Sequence, residues 1–472
     1  MEKSFKVIFT GLFFLLLTFS QPFSSSAQYY NTIFWMDGIP QSSYSNVAMN
    51  PQPRLYIGMP GISSHYNGFA HTGFALQDFL RKDDMDNFYW DEDNLIGTLK
   101  NRNFFTMDLQ HELLAFGFLT GRDYFSFNAT EKVGGRFGYS KDFMTLLIKG
   151  NNHFIEEARE ADFSGIGMDF IHYREFAAGY SRQWTDNFSA GLRAKVLFGM
   201  SNVWFERNNF SLHTHPDSYA LLLNADMVVN VSSPSPFSPL DSITDGGDFD
   251  FDFDEMDYIT NTQNMGFGLD LGMVYRPNDR FTLALSALDL GYIDWSQGVE
   301  NFTMKGEFEF DGVDLNDFFG NDDDNGNGFE ELLDSLKNVF DIEETAKNYR
   351  SFLGPKIFLS GGYDLSPRHK MGLLARADFY QGEMYPSFTA SYNFKPVNAI
   401  GFSLAYSVIH WNYNNLGAGF NLNLGPLQIY AVADNIFGAM RPHTIQTANL
   451  HFGVNWVFGY RPRATARPLF SW

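Results

Sequence analysis

The chain of 472 residues contains no cysteine. That absence excludes disulfide-stapled folds, thiolate metal sites, cysteine nucleophiles and a lipidated N-terminal cysteine. Positive charge is scarce: 33 Lys and Arg stand against 55 Asp and Glu, for a net charge of −22. Phosphate backbones demand clustered cations, so nucleic acid is not expected as a partner. Beyond the N-terminus, no stretch approaches the roughly 18 consecutive apolar residues of a membrane-crossing helix. Catalytic signatures are missing too. There is no G-x-S-x-G elbow, no H-E-x-x-H and no phosphate-binding glycine loop, so no enzymatic activity is expected. What is abundant is aromatic: 51 Phe and 23 Tyr, too many for a disordered chain.

The N-terminus reads as an address. Lys3 and Lys6 precede an apolar run from Val7 to Phe19, and Ser25 and Ala27 fit the small-residue positions of a cleavage site. Residues 1–27 are therefore expected to be a cleaved signal peptide. The run is too short to serve as a membrane anchor, because 13 helical residues span about 20 Å against a hydrocarbon core of ~30 Å.

Downstream, apolar residues recur at every second position, the period of a strand with two unlike faces. From Phe188 to Phe198 the even positions are Phe, Ala, Leu, Ala, Val and Phe, while Ser189, Gly191, Arg193 and Lys195 alternate with them. Met265 to Tyr275, Met371 to Phe379, Ile400 to Val408 and Leu450 to Tyr460 repeat the pattern, and Tyr219 to Val231 reads the same way. Many segments run about 9–13 residues, the length of a tilted membrane-crossing strand rather than of a common soluble one. The apolar face suits lipid and the Gly, Ser, Asn and charged face suits a lumen. The expected fold is all-β: a transmembrane antiparallel β-barrel of about 14 strands, within a range of about 12–18, with long acidic loops and a short helical insertion. With a signal peptide, this places the chain in the outer membrane of a Gram-negative bacterium, with lipid as its surroundings.

Two insertions interrupt the alternation, within 232–262 and 307–350. Asp241 to Asp257 holds 8 acids and Glu307 to Asp334 holds 11, neither with a Lys or Arg. They account for nearly all of the net charge and leave the barrel itself near neutrality. Gly328 to Tyr349 carries helical spacing of apolar residues. Within the second insertion, Asp323, Asn325, Asn327 and Asp334 fall at calcium-loop positions, with Gly328 at the turn. The final position departs from the pattern, since a bidentate Glu is wanted there. No cofactor other than this weakly matched Ca2+ is indicated. His213 and His215 form a two-imidazole pair without a third ligand nearby.

The lumen face is expected to carry Asp108, Glu112, Arg193, Lys195, Asp226, Asp270, Arg276, Arg376 and Asp378. Both signs are mixed, which points to salt bridges bracing the wall rather than to an ion-selective ring.

The run Trp35-Met-Asp-Gly-Ile-Pro-Gln-Ser-Ser-Tyr-Ser-Asn-Val-Ala-Met-Asn-Pro51, with Leu55-Tyr-Ile-Gly-Met-Pro60, resembles the opening of an uncharacterised Bacteroidota outer-membrane barrel family related to FadL-like and PorV/PorP-like barrels. Ser286 to Trp295 and Leu427 to Phe437 extend the likeness over nearly the whole mature chain. One departure is Gln52, where Asn-Pro-Ala is the expected sequence. The resemblance implies a barrel of about 14 strands and an N-terminal segment, residues 28–53, that can fold into the lumen as a plug. It implies no ligand. The barrel then spans 54–460, and a basic periplasmic tail follows at 461–472. His451, Gly453, Trp456 and Phe458 resemble the C-terminal signal read by the outer-membrane assembly machinery. Two functions follow as expectations. One is a FadL-like channel passing a small or hydrophobic substrate, with an apolar pocket inside. The other is a non-conducting scaffold for a secretion, motility or surface-assembly partner, with a filled lumen.

Overall fold

The computed structural model describes residues 30–460 apart from 83–84, 86, 234–257, 259, 311–341, 381–382, 410–411, 437 and 439–445. The expected signal peptide (residues 1–27), the Asp241–Asp257 stretch, the calcium-like loop (Asp323, Asn325, Asn327, Asp334) and the expected basic tail (461–472) lie outside the described residues.

A closed antiparallel barrel of 14 strands forms the body. Its first strand is interrupted: Pro53–Gly58 and His65–His71 both pair with the last strand, Thr447–Tyr460, and with the second, Arg102–Thr120. Asp123–Ser140, Gly167–Gln183, Phe188–Thr214, Asn264–Tyr275 and Phe281–Trp295 continue the wall. Lys356–Ser366, His369–Tyr380, Glu383–Val397, Ile400–Ile409, Asn412–Leu424 and Leu427–Ala433 complete it. Closure leaves no unpaired edge along the wall.

The connections differ at the two ends. At one end the turns are tight, as at Gly121–Arg122 and Gly425–Pro426, where φ of +59° and +64° suits glycine. Pro53 and Tyr460 pair with each other at this end. The other end carries long connections. One is a helical cap: Ser140 accepts from the Phe143 amide at 3.0 Å and starts the helix Lys141–Lys149, which packs with Phe154 and Phe163 on Leu212. Another, between Phe79 and Leu99, contains the hairpin Leu80–Lys82 with Phe88–Trp90 and the helix Glu92–Thr98.

Alternation sorts the two faces as the sequence leads one to expect. Leu192, Phe267, Met273, Leu373, Leu404, Leu450 and Phe458 are exposed outward, while Ser189, Arg193, Lys195, Ser403, Ser407 and Asn455 are buried inward. No described helix is long and apolar enough to cross a membrane, which bears on helices alone.

Two expectations are corrected. Tyr219–Val231 is not one of the 14 strands. Leu221–Ser232 instead inserts above the wall, between the extended end of Phe188–Thr214 and Val299–Phe310. Its Leu221 and Leu223 pack on the cap cluster, so alternation there marks a cap contact. The helical reading of Gly328 to Tyr349 fails over its described part. Ile342–Thr345 is a strand, because the edge of Val299–Phe310 offers it a ladder at Asn301–Met304. That same strand also absorbs Glu307 and Glu309, read as loop.

Candidate functional site

Residues 30–52 lie inside the barrel. Ile33, Phe34, Trp35, Ile39 and Tyr44 are buried, as are Thr32, Gln41, Ser42, Ser43, Ser45 and Asn46. Two short 3-10 turns, Ile33–Trp35 and Pro40–Tyr44, keep this segment compact. Its apolar side packs with Phe358, Leu374 and Tyr430 of the wall.

Glycines in the wall make the room. A Cβ on Gly372 would fall 2.2 Å from Trp35 Cδ1, and one on Gly362 would fall 2.7 Å from Trp35 Cζ3. Gly272 leaves space for Asn46, whose amide donates to the carbonyls of Met273 at 3.3 Å and Leu285 at 3.1 Å. These lumen glycines are therefore sites of close approach.

Polar anchors run to widely separated strands. The Thr32 amide donates to Asp434 Oδ1 at 2.7 Å. Gln428 Nε2 donates to the Gly38 carbonyl at 2.7 Å. Gln41 and Asn455 exchange two amide bonds, at 3.0 and 2.9 Å. Ser286 Oγ donates to the Ser45 carbonyl at 2.7 Å. Tyr44 donates to Glu112, and Gln41 Nε2 reaches the other oxygen of that carboxylate at 3.2 Å. Removing the segment would take both of these donors from a buried carboxylate, which is costly.

Beside the segment lies a charge network. Lys195 Nζ sits 2.7 Å from Asp270, 2.6 Å from Asp289 and 3.5 Å from Glu175. Lys132 holds Glu175 at 2.7 Å and Lys356 holds Asp289 at 2.6 Å. Arg193 is 3.6 Å from Asp270 and stacks on the Tyr44 ring at 4.8 Å. Asp289 adopts φ +57° at a bulge opposite Asp270, which turns its carboxylate inward.

The cavity among these groups measures about 30 Å3. One water needs about 10–15 Å3 of such space, so it holds about two waters and no organic solute. Nearer the long loops, Arg136 lies 4.0 Å from the Tyr380 ring and 5.5 Å from that of Tyr385, while Tyr380 donates to Asp169. This contact bridges the lumen between strands far apart in the barrel.

Of the lumen residues expected from sequence, Glu112, Arg193, Lys195 and Asp270 come together here. Asp108 takes a 3.3 Å hydrogen bond from Gln110. Arg376 chelates Asp378, with Nε at 2.7 Å, and reaches Asn31 at 3.5 Å. Asp226 is elsewhere, on the inserted strand, paired with Arg207 at 3.2 Å. Arg276 opens the loop 276–280 that follows Asn264–Tyr275, its amide bonded to the Asn187 carbonyl at 2.7 Å. His451 and Gly453 face inward: His451 is bonded to Ser64 at 2.7 Å, while Trp456 and Phe458 face outward. His213 is 3.9 Å from Glu160, and the described residues contain no cluster of three or more His, Asp or Glu arranged to hold a metal.

Lys132, Glu175, Asp289 and Lys356 escaped the sequence reading. Lys132 and Glu175 share the phase of the lumen residues Asn128 and Ala177, so a strict count of alternation reaches them. Asp289 does not yield to that count, because the bulge changes the phase.

The fold is similar to solved outer-membrane barrels. A Pseudomonas aeruginosa FadL homologue is 12% identical, with 93% of this chain and 100% of that chain covered and a TM-score of 0.44. The Ralstonia pickettii toluene transporter TbuX is 8% identical over 89% and 94%, with a TM-score of 0.42. The Pseudomonas putida toluene transporter TodX is 9% identical over 92% and 98%, with a TM-score of 0.35. No curated protein matches the sequence. Residues 48–434 match the profile of a family of unknown function, DUF5723, and the chain belongs to that family.

Proposed function

We propose that the chain is a Bacteroidota outer-membrane transport barrel of the FadL-like type, exported by a signal peptide that is cleaved after Ala27, and shut by its own N-terminal segment. The observation that carries this reading is the way residues 30–52 are held. Nearly every anchor is a side-chain hydrogen bond to a different strand, and such bonds are individually modest and exchangeable with water. A segment fastened in this way can be displaced without unpairing the wall. Behind it the lining is polar and charged, which favours a small polar solute over a hydrophobic one.

A scaffold role, in line with the likeness to PorV/PorP-like barrels, is the second reading. The Arg136–Tyr380 bridge across the lumen favours it, because this bridge does not involve the N-terminal segment.

Conductance in planar lipid bilayers separates the two. The transport reading expects a closed full-length protein and a variant lacking residues 28–53 that passes ions. If both are silent while the deletion variant remains a heat-resistant folded barrel, the scaffold reading takes its place.

A further inference from the structure

The outward face is apolar around most of the barrel, but four consecutive strands break the rule. His65 pairs with His111, His111 with Glu131, and Glu131 with Arg174, all directly across the ladder. Each shares its face with an exposed apolar side chain on the same strand: Phe69, Phe105, Phe137 and Met168, respectively. The row therefore points outward. On the second and third strands it lies between apolar residues: His111 between Phe105 and Phe116, Glu131 between Phe125 and Phe137.

Its members hold one another. The His65 and His111 rings meet edge-on at 4.2 Å. Arg174 Nε clasps Glu131, and His172 Nε2 lies 3.3 Å from the other carboxylate oxygen. Phe452 and Phe198 end the row on either side. From Phe188 to Phe198, from Met265 to Tyr275 and from Ile400 to Val408, the outward face carries no charged residue or histidine. An ionised group on the lipid face of a barrel costs up to about 2–4 kcal/mol for a cation. Tyr258 of the same chain covers the end of the row at His172, its hydroxyl 2.7 Å from Nδ1, and the remainder of the row favours protein over lipid against it.

We propose that this row is the contact surface for a second copy of the chain, resting on the reading of the barrel as a membrane protein but not on its transport role. Copies in one membrane share an orientation, so a two-fold axis must run along the barrel axis. Placed between the strands carrying His111 and Glu131, that axis sets His111 of each copy against Glu131 of the other. The imidazole donor and the carboxylate acceptor are thus matched twice. Leu109, Val133 and Phe127 flank the contact and supply its apolar margin.

The absence of cysteine makes the test direct. Leu109→Cys, beside the row, and Leu404→Cys, on the uniformly apolar wall, are treated with a short bismaleimide in native outer membranes. A homodimer adduct is expected for Leu109→Cys alone. It is expected to fall about tenfold when His111→Leu is added. Glu131→Gln, which keeps a hydrogen bond to Arg174, serves as a second variant that preserves the fold, and the same fall is expected. No adduct, an equal adduct at Leu404→Cys, or an adduct with a different protein would each overturn the proposal. A conducting, uncrosslinked barrel would overturn it while leaving the transport reading intact.

Discussion

The strands from Arg102 to Trp295 and those from Glu383 to Tyr460 line one lumen with different chemistry. The first group supplies Lys132, Glu175, Arg193, Lys195, Asp270 and Asp289, which neutralise one another across the ladder, together with Glu112, which takes neutral donors. The second supplies Ser387, Thr389, Ser391, Asn393, Ser403, Ser407, Asn421, Gln428 and Asn455, which need only hydrogen bonds. Neutral groups can be satisfied pair by pair, as Thr389 and Ser407 are at 2.8 Å. Charges out of water must be matched several at a time, which is why Lys195 touches three carboxylates. The N-terminal segment spans the two linings. It offers the Gln41 side-chain amide to Asn455 and the Gly38 carbonyl to Gln428 on the neutral side, and Tyr44 to Glu112 and Arg193 on the charged side.

The contrast can be broken by mutation. Lys195→Met removes the shared cation and leaves Asp270, Asp289 and Glu175 facing one another. The expected loss is about 3–5 kcal/mol, the scale of breaking a buried ion network. Urea unfolding of the barrel in detergent micelles measures it. Ser407→Ala in the neutral lining leaves one hydroxyl of Thr389 unpaired, and the same assay should register about 1 kcal/mol. Equal losses at the two positions would erase the distinction.

Outside the wall, the cap offers a smaller, pH-dependent effect. Burial alone would raise the Asp142 pKa, but Arg159 donates to both carboxylate oxygens and the Asp162 amide donates to one, so Asp142 sits below its ordinary value of 3.8. A lowered carboxyl pKa stabilises the cap fully above that ordinary value, and the contribution is lost as pH falls through the lowered one. Arg159 is partly exposed, so solvent screening holds the effect below about 1 kcal/mol. Protease cleavage within residues 141–166 is expected to rise on acidification below pH 3.8, and Asp142→Asn should remove most of that pH dependence.

The legibility of this molecule in its sequence follows the same division. Period-two alternation is a property of single strands, so it shows the outward face of Ile400–Ile409 or Thr447–Tyr460 directly. Bulges defeat it: at Asp289, and at Glu112–Leu114, a change of phase hides which side a residue faces. It also cannot tell an apolar face against lipid from one against a cap, which is how Leu221–Ser232 came to read as wall. The outward row escapes for a third reason. His65, His111, Glu131 and Arg174 are far apart in sequence, and only the ladder brings them into line.

The claim that the N-terminal segment closes the lumen is tested most directly by adjacent wall glycines of opposite orientation. Gly372→Leu enlarges the wall where a Cβ already falls 2.2 Å from Trp35, while Gly361→Leu faces outward with its nearest neighbour, Leu283, at 3.8 Å. Single-channel conductance of each, in otherwise full-length protein, is the measurement. Gly372→Leu is expected to open the barrel to ions and Gly361→Leu to leave it closed. Two closed variants, with Gly372→Leu folded and the deletion of residues 28–53 conducting, would contradict the place given to Trp35 as the seat of closure.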